Sequence, residues 1–503
     1  MRMDPEECCE SGCVPCERDR DGEEPVDLMN YIGGQFVPPS NDDWLNVLEP
    51  ATGYRFARAP LSGEDDVDSA VMAAISAKRD WGALSLGERS SWLDRIAECL
   101  ESKFEEIASL ESRDTGKPIA LARSVDASRS VANFRFFAEL LREQEEEEFE
   151  MPDATNYVVT KPVGVGALIT PWNLPLYLLS WKVAPAIGMG NTVVCKPSEL
   201  TPMTADLLMR VVDEVGLPKG VVNLVHGDGV GAGAPLVGHP DVDLVSFTGG
   251  TSTGEKVAQS AAPSFKKVSL ELGGKNASIV FADCDMGPTV DGVVRAAFLN
   301  QGQVCLCGSR ILVERPVFED FKAMFVDSVE RMEIGDPSDE ATELGALISR
   351  DHLEKVQGYV DLAKNEGGTA LTGGEPCLPS EFEHGNWMAP TVIEGLSHQS
   401  RCATEEIFGP VVTLHVFDSE EEAIEMANAT RYGLAGSVWT SDLERGKRVS
   451  SSMETGMVWV NTWLHRDLRV PFGGVKDSGV GREGGRWSLG FFSEPMNICV
   501  KHD

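Results

Sequence analysis

Between residues 157 and 275, short apolar runs alternate with helical stretches, and this alternation confines the chain to a small set of folds. Gly164-Val165-Gly166-Ala167-Leu168-Ile169, Asn191-Thr192-Val193-Val194-Cys195, Val221-Val222-Asn223-Leu224-Val225 and Asp243-Leu244-Val245-Ser246-Phe247 read as strands buried on both faces. Helical segments such as 203–215 intervene, which is the βαβ order of a doubly wound parallel sheet. A second α/β series runs from about 276 to 470. A chain of 503 residues exceeds one compact core, so two or three domains are expected. Ahead of the first sheet, Tyr31 to Val37 has a hairpin-like pattern, and helical spacing marks 63–80 and 87–112. Residues 1–26 are acidic, cysteine-rich and aperiodic, the signature of a disordered extension. The acidic run Glu145 to Glu148 reads as a solvated linker.

Charge narrows the partners. The chain carries 44 basic and 80 acidic residues, a net −36, which repels nucleic-acid phosphates and anionic membranes. Such a surface serves solubility, as in a salty cytoplasm. No run reaches the ~18–20 apolar residues of a membrane span, and the start lacks a signal peptide's apolar stretch, so a cytoplasmic protein is expected. Twelve cysteines in a chain of this length are not a disulfide framework. Cys13 and Cys16 form a CxxC beside Cys8 and Cys9, but no second pair completes a zinc site, and the group reads as incidental.

Three segments carry possible chemistry. Gly227-Asp228-Gly229-Val230-Gly231-Ala232 formally satisfies GxGxxA, yet no acidic residue follows about 20 positions later, so it reads as a turn before a helix. Ser246-Phe247-Thr248-Gly249-Gly250-Thr251-Ser252-Thr253-Gly254-Glu255 instead runs from a strand into a helix whose free N–H groups suit a pyrophosphate. It lacks a P-loop's lysine, so nucleotide hydrolysis is not indicated. In Asn300-Gln301-Gly302-Gln303-Val304-Cys305-Leu306-Cys307-Gly308-Ser309-Arg310, either cysteine could be a nucleophile or an inert buried thiol, and spacing does not separate them. In Val268-Ser269-Leu270-Glu271-Leu272-Gly273-Gly274-Lys275-Asn276, Glu271 is either a general base with a raised pKa or a strand-edge carboxylate facing solvent.

Taken with Thr170-Pro171-Trp172-Asn173-Leu174-Pro175, Lys196-Pro197-Ser198-Glu199, Glu405-Glu406-Ile407-Phe408-Gly409-Pro410 and Pro471-Phe472-Gly473-Gly474-Val475-Lys476-Asp477-Ser478-Gly479, these segments stand in the order seen in aldehyde dehydrogenases. The chain resembles that family from about residue 29 to 502. The resemblance implies an α/β protein of the aldehyde dehydrogenase fold. A Rossmann-like NAD-binding domain would span 27–142 and 162–273, an α/β catalytic domain 274–473, and a small β oligomerisation arm 143–161 with 486–503. A homodimer or homotetramer would follow.

By the same resemblance Cys305, not Cys307, matches the nucleophile, Glu271 the general base, and the Asn173 side chain with the Cys305 backbone N–H the oxyanion hole. Lys182 and Glu483 resemble the pair that relays the base's proton. Thr170, Pro171, Trp172, Phe247, Gly249, Gly250, Thr251, Glu271 and Leu272 fall at cofactor-binding positions. Gly250 replaces a serine common in the family. Lys196 and Glu199 match the holders of the adenosine ribose, and Glu199 favours NAD because a carboxylate repels a 2′-phosphate. Glu406 and Phe408 match the nicotinamide side. The implied reaction is NAD-dependent oxidation of an aldehyde to an acid through a cysteine thioester, with no metal.

Leu121 to Arg123, Arg129 to Phe137, Pro175 to Lys182, Asn461 to Leu468 and the Lys501-His502 ending resemble one branch more closely, the 2-aminomuconic and 2-hydroxymuconic semialdehyde dehydrogenases. That branch implies an aldehyde with a distant carboxylate, met by Arg123 and Arg466 and walled by Leu174, Tyr177 and Phe472. Betaine aldehyde or simple aliphatic aldehydes are the alternative substrates. A CoA-acylating enzyme is disfavoured by Glu271, and a catalytically silent homologue by the joint presence of Cys305, Glu271 and Asn173.

Overall fold

The computed structural model describes residues 18–19, 24–145 and 147–502. Its first sheet has eight strands, in spatial order Gly479–Val480, Lys267–Glu271, Leu244–Thr248, Val165–Ile169, Thr192–Lys196, Val222–Leu224, Asn30–Ile32 and Gln35–Val37. The five central strands run parallel, and the flanking ones are antiparallel additions. These five are the uninterrupted apolar runs of the sequence together with the segment ending in Glu271; burial on both faces leaves no room for polar alternation. Helices close both faces, among them Pro175–Gly188 and Met203–Glu214 on one and Glu64–Gly82 on the other. The strands therefore all end at one edge, delivering Thr170, Lys196, Thr248 and Glu271 to a common crevice.

A second sheet of seven strands is built from Ala277–Val280, Arg310–Glu314, Thr369–Thr372, Thr391–Glu394, Val411–Phe417, Ala435–Trp439 and Met457–Val460. Only its outermost pair, Thr369–Thr372 with Thr391–Glu394, is antiparallel. A three-stranded sheet projects separately: Ser493–Lys501 pairs along its whole length with Ala154–Pro162, which pairs in turn with Glu147–Met151.

Four expectations need correction. The helical stretch at 87–112 is two helices, Leu86–Ser102 and Phe104–Thr115, because Lys103 at φ −107°, ψ 20° breaks the ladder. Glu147 and Glu148 of the acidic run are not linker: they lie in a strand exposed on both faces, where no hydrophobic alternation can mark it. Ordered backbone reaches into the expected extension 1–26, since Arg18–Asp19 pairs with Tyr54–Arg55, Val26–Asp27 pairs with Ala57–Arg58, and Arg58 bridges Asp27 at 2.6 Å; Cys8, Cys9, Cys13 and Cys16 lie outside the described residues. Finally, the arm strand begins at Ser493 rather than 486. Gly485–Phe491 is a helix, and Leu489 and Phe492 pack into the core beneath the first sheet with Trp181. As expected, Gly227 to Ala232 is a turn opening a helix, with Asp228 accepting from the N–H groups of Val230 and Gly231. Among the described residues no helix is long and apolar enough to cross a membrane.

Candidate active site

Where the two large sheets meet lies a cavity of about 390 Å³, lined by Asn173, Glu271, Cys305, Glu406, Phe408 and Arg466 among others. Cys305 follows a backbone contortion. After helix Met286–Phe298, Asn300, Gln301 and Gly302 take successive positive φ values of 54°, 55° and 70°. Left-handed backbone costs a non-glycine residue about 1–2 kcal/mol and persists only where surroundings impose it. Here they do. Gln301 Nε2 donates to the Ala346 carbonyl at 2.9 Å, the Ile348 N–H donates to Gln303 Oε1 at 3.1 Å, and Asn276 Nδ2 donates to the Cys305 and Cys307 carbonyls at 2.8 and 2.9 Å.

The loop separates the two cysteines that spacing could not. Cys305 faces the cavity, whereas Cys307 is buried in the apolar core of the second sheet, where burial pushes its thiol up to about 12. Burial also raises the Cys305 thiol, helped by the negative charges of Glu406 and Glu271 and opposed by Arg466. A positive group bound beside the thiol would favour its ionisation.

Asn173 Nδ2 reaches the Cys305 loop, donating to the Gln303 carbonyl at 2.9 Å, and Asn300 Nδ2 returns a bond to the Asn173 carbonyl at 3.2 Å. Glu271 ends its strand inside the cavity wall with neither carboxylate oxygen hydrogen-bonded. Burial, and then the charge of Glu483, hold its pKa well above the carboxylate range, and Lys182, Arg482 and Arg466 pull the other way. Behind it, Lys182 Nζ donates to Glu483 Oε1 at 2.7 Å and to Ser246 Oγ at 2.9 Å, all buried.

A dinucleotide fits the crevice on several counts. Helix Thr251–Ala261 starts at Gly250 with no side chain capping it, which leaves its first N–H groups available to an anion. A Cβ on Gly250 would meet nothing within 4 Å, so the missing serine leaves open space beside those N–H groups. Leu272 packs under this helix so closely that a Cβ on Gly254 would lie 2.4 Å from it, and Phe247 similarly blocks Gly249. Further along, Lys196 Nζ bridges Glu199 at 3.1 Å, and the Thr170 N–H donates to the Lys196 carbonyl at 3.2 Å. On the cavity side, Glu406 Oε1 accepts the Gly274 N–H at 2.9 Å, and the edge of Trp172 meets Phe408 at 5.3 Å between centroids. Pro171 lines the same wall.

Sequence reasoning missed His352 and Lys355, which also line this cavity. His352 Nε2 lies 2.6 Å from the carbonyl of Phe408, itself at φ 62°, and burial lowers its pKa to about 4, so the neutral ring donates that bond. Both stand on helix Arg350–Asn365, far from every recognised motif, and their spacing offered no signal.

The arginines are redistributed. Arg466 enters the cavity, its guanidinium 4.1 Å from the Phe472 ring centroid and 4.8 Å from that of Trp181, and it donates to the Tyr177 hydroxyl. Its Nη2 is buried with no hydrogen-bond partner. Leu174, Tyr177 and Phe472 line the same space. Arg123 does not: it points to the surface, where it bridges Glu105 at 2.9 Å and pairs with Glu340. Arg129 takes the place expected of it. Leu121, Val125 and Arg129 are spaced four apart along a helical stretch and line the cavity, while Arg123, two residues on from Leu121, leaves the stretch on the outer side. That periodicity was in the sequence. Arg295 adds a third cation, donating to the Trp463 carbonyl at 3.2 Å. None of Arg129, Arg295 and Arg466 ion-pairs with a carboxylate among the described residues.

A dinucleotide crevice opening onto a cavity thiol with an adjacent buried carboxyl defines a thiol-dependent oxidoreductase of carbonyl compounds. The chain belongs to the aldehyde dehydrogenase family, whose model matches residues 36–498. It is 48% identical over 480 residues to the 2-aminomuconic semialdehyde dehydrogenase of Danio rerio, covering 94% of this chain and 98% of that protein. It is 48% identical over 483 residues to the 2-hydroxymuconic semialdehyde dehydrogenase of Pseudomonas sp. (strain CF600), covering 94% and 99%. Among solved structures, betaine aldehyde dehydrogenase from Staphylococcus aureus in complex with NAD+ superposes with a TM-score of 0.92 at 36% identity, covering 94% of this chain and 95% of that one.

Proposed function

We propose that the chain oxidises an aldehyde bearing a distant carboxylate, of the muconic semialdehyde class, to the dicarboxylic acid. The observation that carries this reading is the pair Arg129 and Arg466, which line the same cavity as Cys305 and make no ion pair with a carboxylate among the described residues, Arg466 Nη2 being buried without a hydrogen-bond partner. A guanidinium nitrogen buried in a cavity without a partner awaits an anion. The same cations oppose a trimethylammonium aldehyde, which disfavours betaine aldehyde.

NAD supplies the hydride acceptor and a cationic ring beside the thiol. Glu199, beside Lys196, would select it over a 2′-phosphorylated dinucleotide, and Glu406 and Phe408, on the cavity wall, would hold its nicotinamide end. The Cys305 thiolate attacks the carbonyl carbon, and the alkoxide that forms is held by Asn173 Nδ2 and the Cys305 N–H. Once the aldehyde carbon is oxidised, the acyl group sits on sulfur as a thioester. Glu271, ionised, takes a proton from water for attack on that thioester. Its proton passes toward Glu483 and Lys182 behind it. The tail carboxylate, gripped by Arg129 and Arg466, fixes the aldehyde end at the thiol.

The arm strands support assembly of copies: Glu147–Met151 and Ser493–Lys501 are the two edge strands of their sheet, the first exposing Phe149 and Met151 and the second Met496, Ile498 and Val500. The test of function is NADH formation across a muconic semialdehyde, betaine aldehyde and hexanal. Preference for the first by an order of magnitude or more in kcat/KM is expected, and a preference for either of the others would refute the reading.

A further inference from the structure

Behind Asn173 lies a buried polar cluster to which the mechanism above gives no part. Lys117, fully buried, directs Nζ to Asp126 Oδ2 at 2.8 Å, to the Asn173 carbonyl at 3.0 Å, and toward Glu111 Oε2 at 3.8 Å. Glu111 Oε1 in turn accepts from the Leu176 N–H at 2.9 Å and from Thr204 at 2.7 Å. Asp114, one helical turn from Glu111, accepts the Met203 N–H at 3.0 Å. Two buried carboxyls thus face one ammonium with Asp114 close behind, and burial raises all three above their ordinary range. Replacing such a cluster by apolar residues is often neutral or stabilising, so stability alone does not account for it.

Its geometry points at the active site from two sides. The Asn173 carbonyl receives Lys117 as well as Asn300, while the Asn173 side chain reaches the Gln303 carbonyl. Asp126 lies in Ala122–Ala127, a turn of π-helix whose Ser124 and Val125, with the flanking Leu121 and Arg129, line the cavity. Such widened turns recur at functional sites. One ammonium therefore ties the peptide bearing the oxyanion donor to the wall that carries Arg129.

We infer that Lys117 is a positioning residue, which acts through the Asn173 peptide to aim the Asn173 amide at the carbonyl oxygen of the substrate. This rests on the oxyanion role proposed for Asn173. The test compares Lys117→Met, Asn173→Ala and the double variant. It uses two reactions: NAD-dependent oxidation of hexanal, and hydrolysis of p-nitrophenyl acetate, which also needs an oxyanion donor but no hydride transfer. Hexanal has no carboxylate, so a disturbed Arg129 does not enter. Lys117→Met is expected to lower both kcat values by about tenfold or more and by similar factors, with the dissociation constant for NAD within about twofold of wild type. The double variant should be no slower than Asn173→Ala alone, because an aim without a donor is worth nothing. Losses that multiply, or a Lys117→Met enzyme at wild-type rate beside a slow Asn173→Ala, would overturn the inference and leave the oxyanion reading intact. A wild-type rate for Asn173→Ala would overturn both. Should Lys117→Met fail to fold, Asp126→Asn keeps an acceptor for Lys117 but removes its counter-charge; a smaller loss in both reactions supports the inference, and an unchanged kcat in both overturns it.

Discussion

Replacing Arg466 with methionine isolates its charge. The guanidinium lies over the rings of Phe472 and Trp181, so alanine would leave a void that methionine's unbranched chain fills. A hydrogen bond between charged groups contributes about 1.5–3 kcal/mol, and each 1.4 kcal/mol is tenfold. If Arg466 binds the substrate's tail, Arg466→Met lowers kcat/KM for a carboxylate-bearing semialdehyde by about 10- to 150-fold. There is a second effect to separate. Arg466 lies close enough to Cys305 and Glu271 to hold both pKa values down, so its loss raises them and slows every substrate near neutral pH. That effect follows the chemistry and not the tail, and it divides out in the ratio of kcat/KM between the semialdehyde and hexanal. The ratio, followed as NADH absorbance at several pH values, should fall by the factor given at each pH. An unchanged ratio would refute carboxylate recognition by Arg466, however much the absolute rates drop.

Glu271→Gln should give one turnover of NADH and then stall, its steady-state rate down by about a hundredfold or more, because the thioester forms but water is not activated. In the wild type that rate should climb with pH as Glu271 loses its proton, along a limb above the ordinary carboxylate range; the glutamine variant should lack it. Cys305→Ala should abolish oxidation while Cys307→Ala stays within about threefold in kcat, its loss appearing as a destabilisation of about 1 kcal/mol in a denaturant melt. Glu199→Gln should improve kcat/KM with NADP by roughly tenfold, since the lost carboxylate charge is half-exposed and screened, with a modest loss on NAD.

The parallel strands were legible because burial on both faces writes them as apolar runs. The edge strand Glu147–Met151 was not, because exposure on both faces writes nothing. Within the site, the order of motifs foretold which segments would gather but not which side chains would point inward. Cys305 and Cys307 are two residues apart and diverge because the loop turns between them, a geometry set by contacts from Asn276 and Gln303 that no local pattern records. Arg123 and Arg129 were both within a recognised stretch. Helical spacing from Leu121 separates them, and Arg129 lies on the inner face. His352 and Lys355 reach the cavity from a helix whose approach is purely tertiary.

The stretch Asn300-Gln301-Gly302 has a consequence for how this enzyme can diverge. A Cβ on Gly302 would lie 2.2 Å from the Gly409 carbonyl oxygen, so the backbone before Cys305 rests directly on the loop that carries Glu406 and Phe408. Neither loop can be lengthened or shifted without displacing the other, and no side chain stands between them to absorb a change. The thiol and the cofactor wall are thus inherited as one part, and new substrates have to be acquired elsewhere. The tolerant ground is the wall of Ser124, Val125 and Arg129, where replacing a side chain re-aims the tail of the substrate; the Arg466 loop is less free, because Arg466 also bears on the ionisation of Cys305 and Glu271.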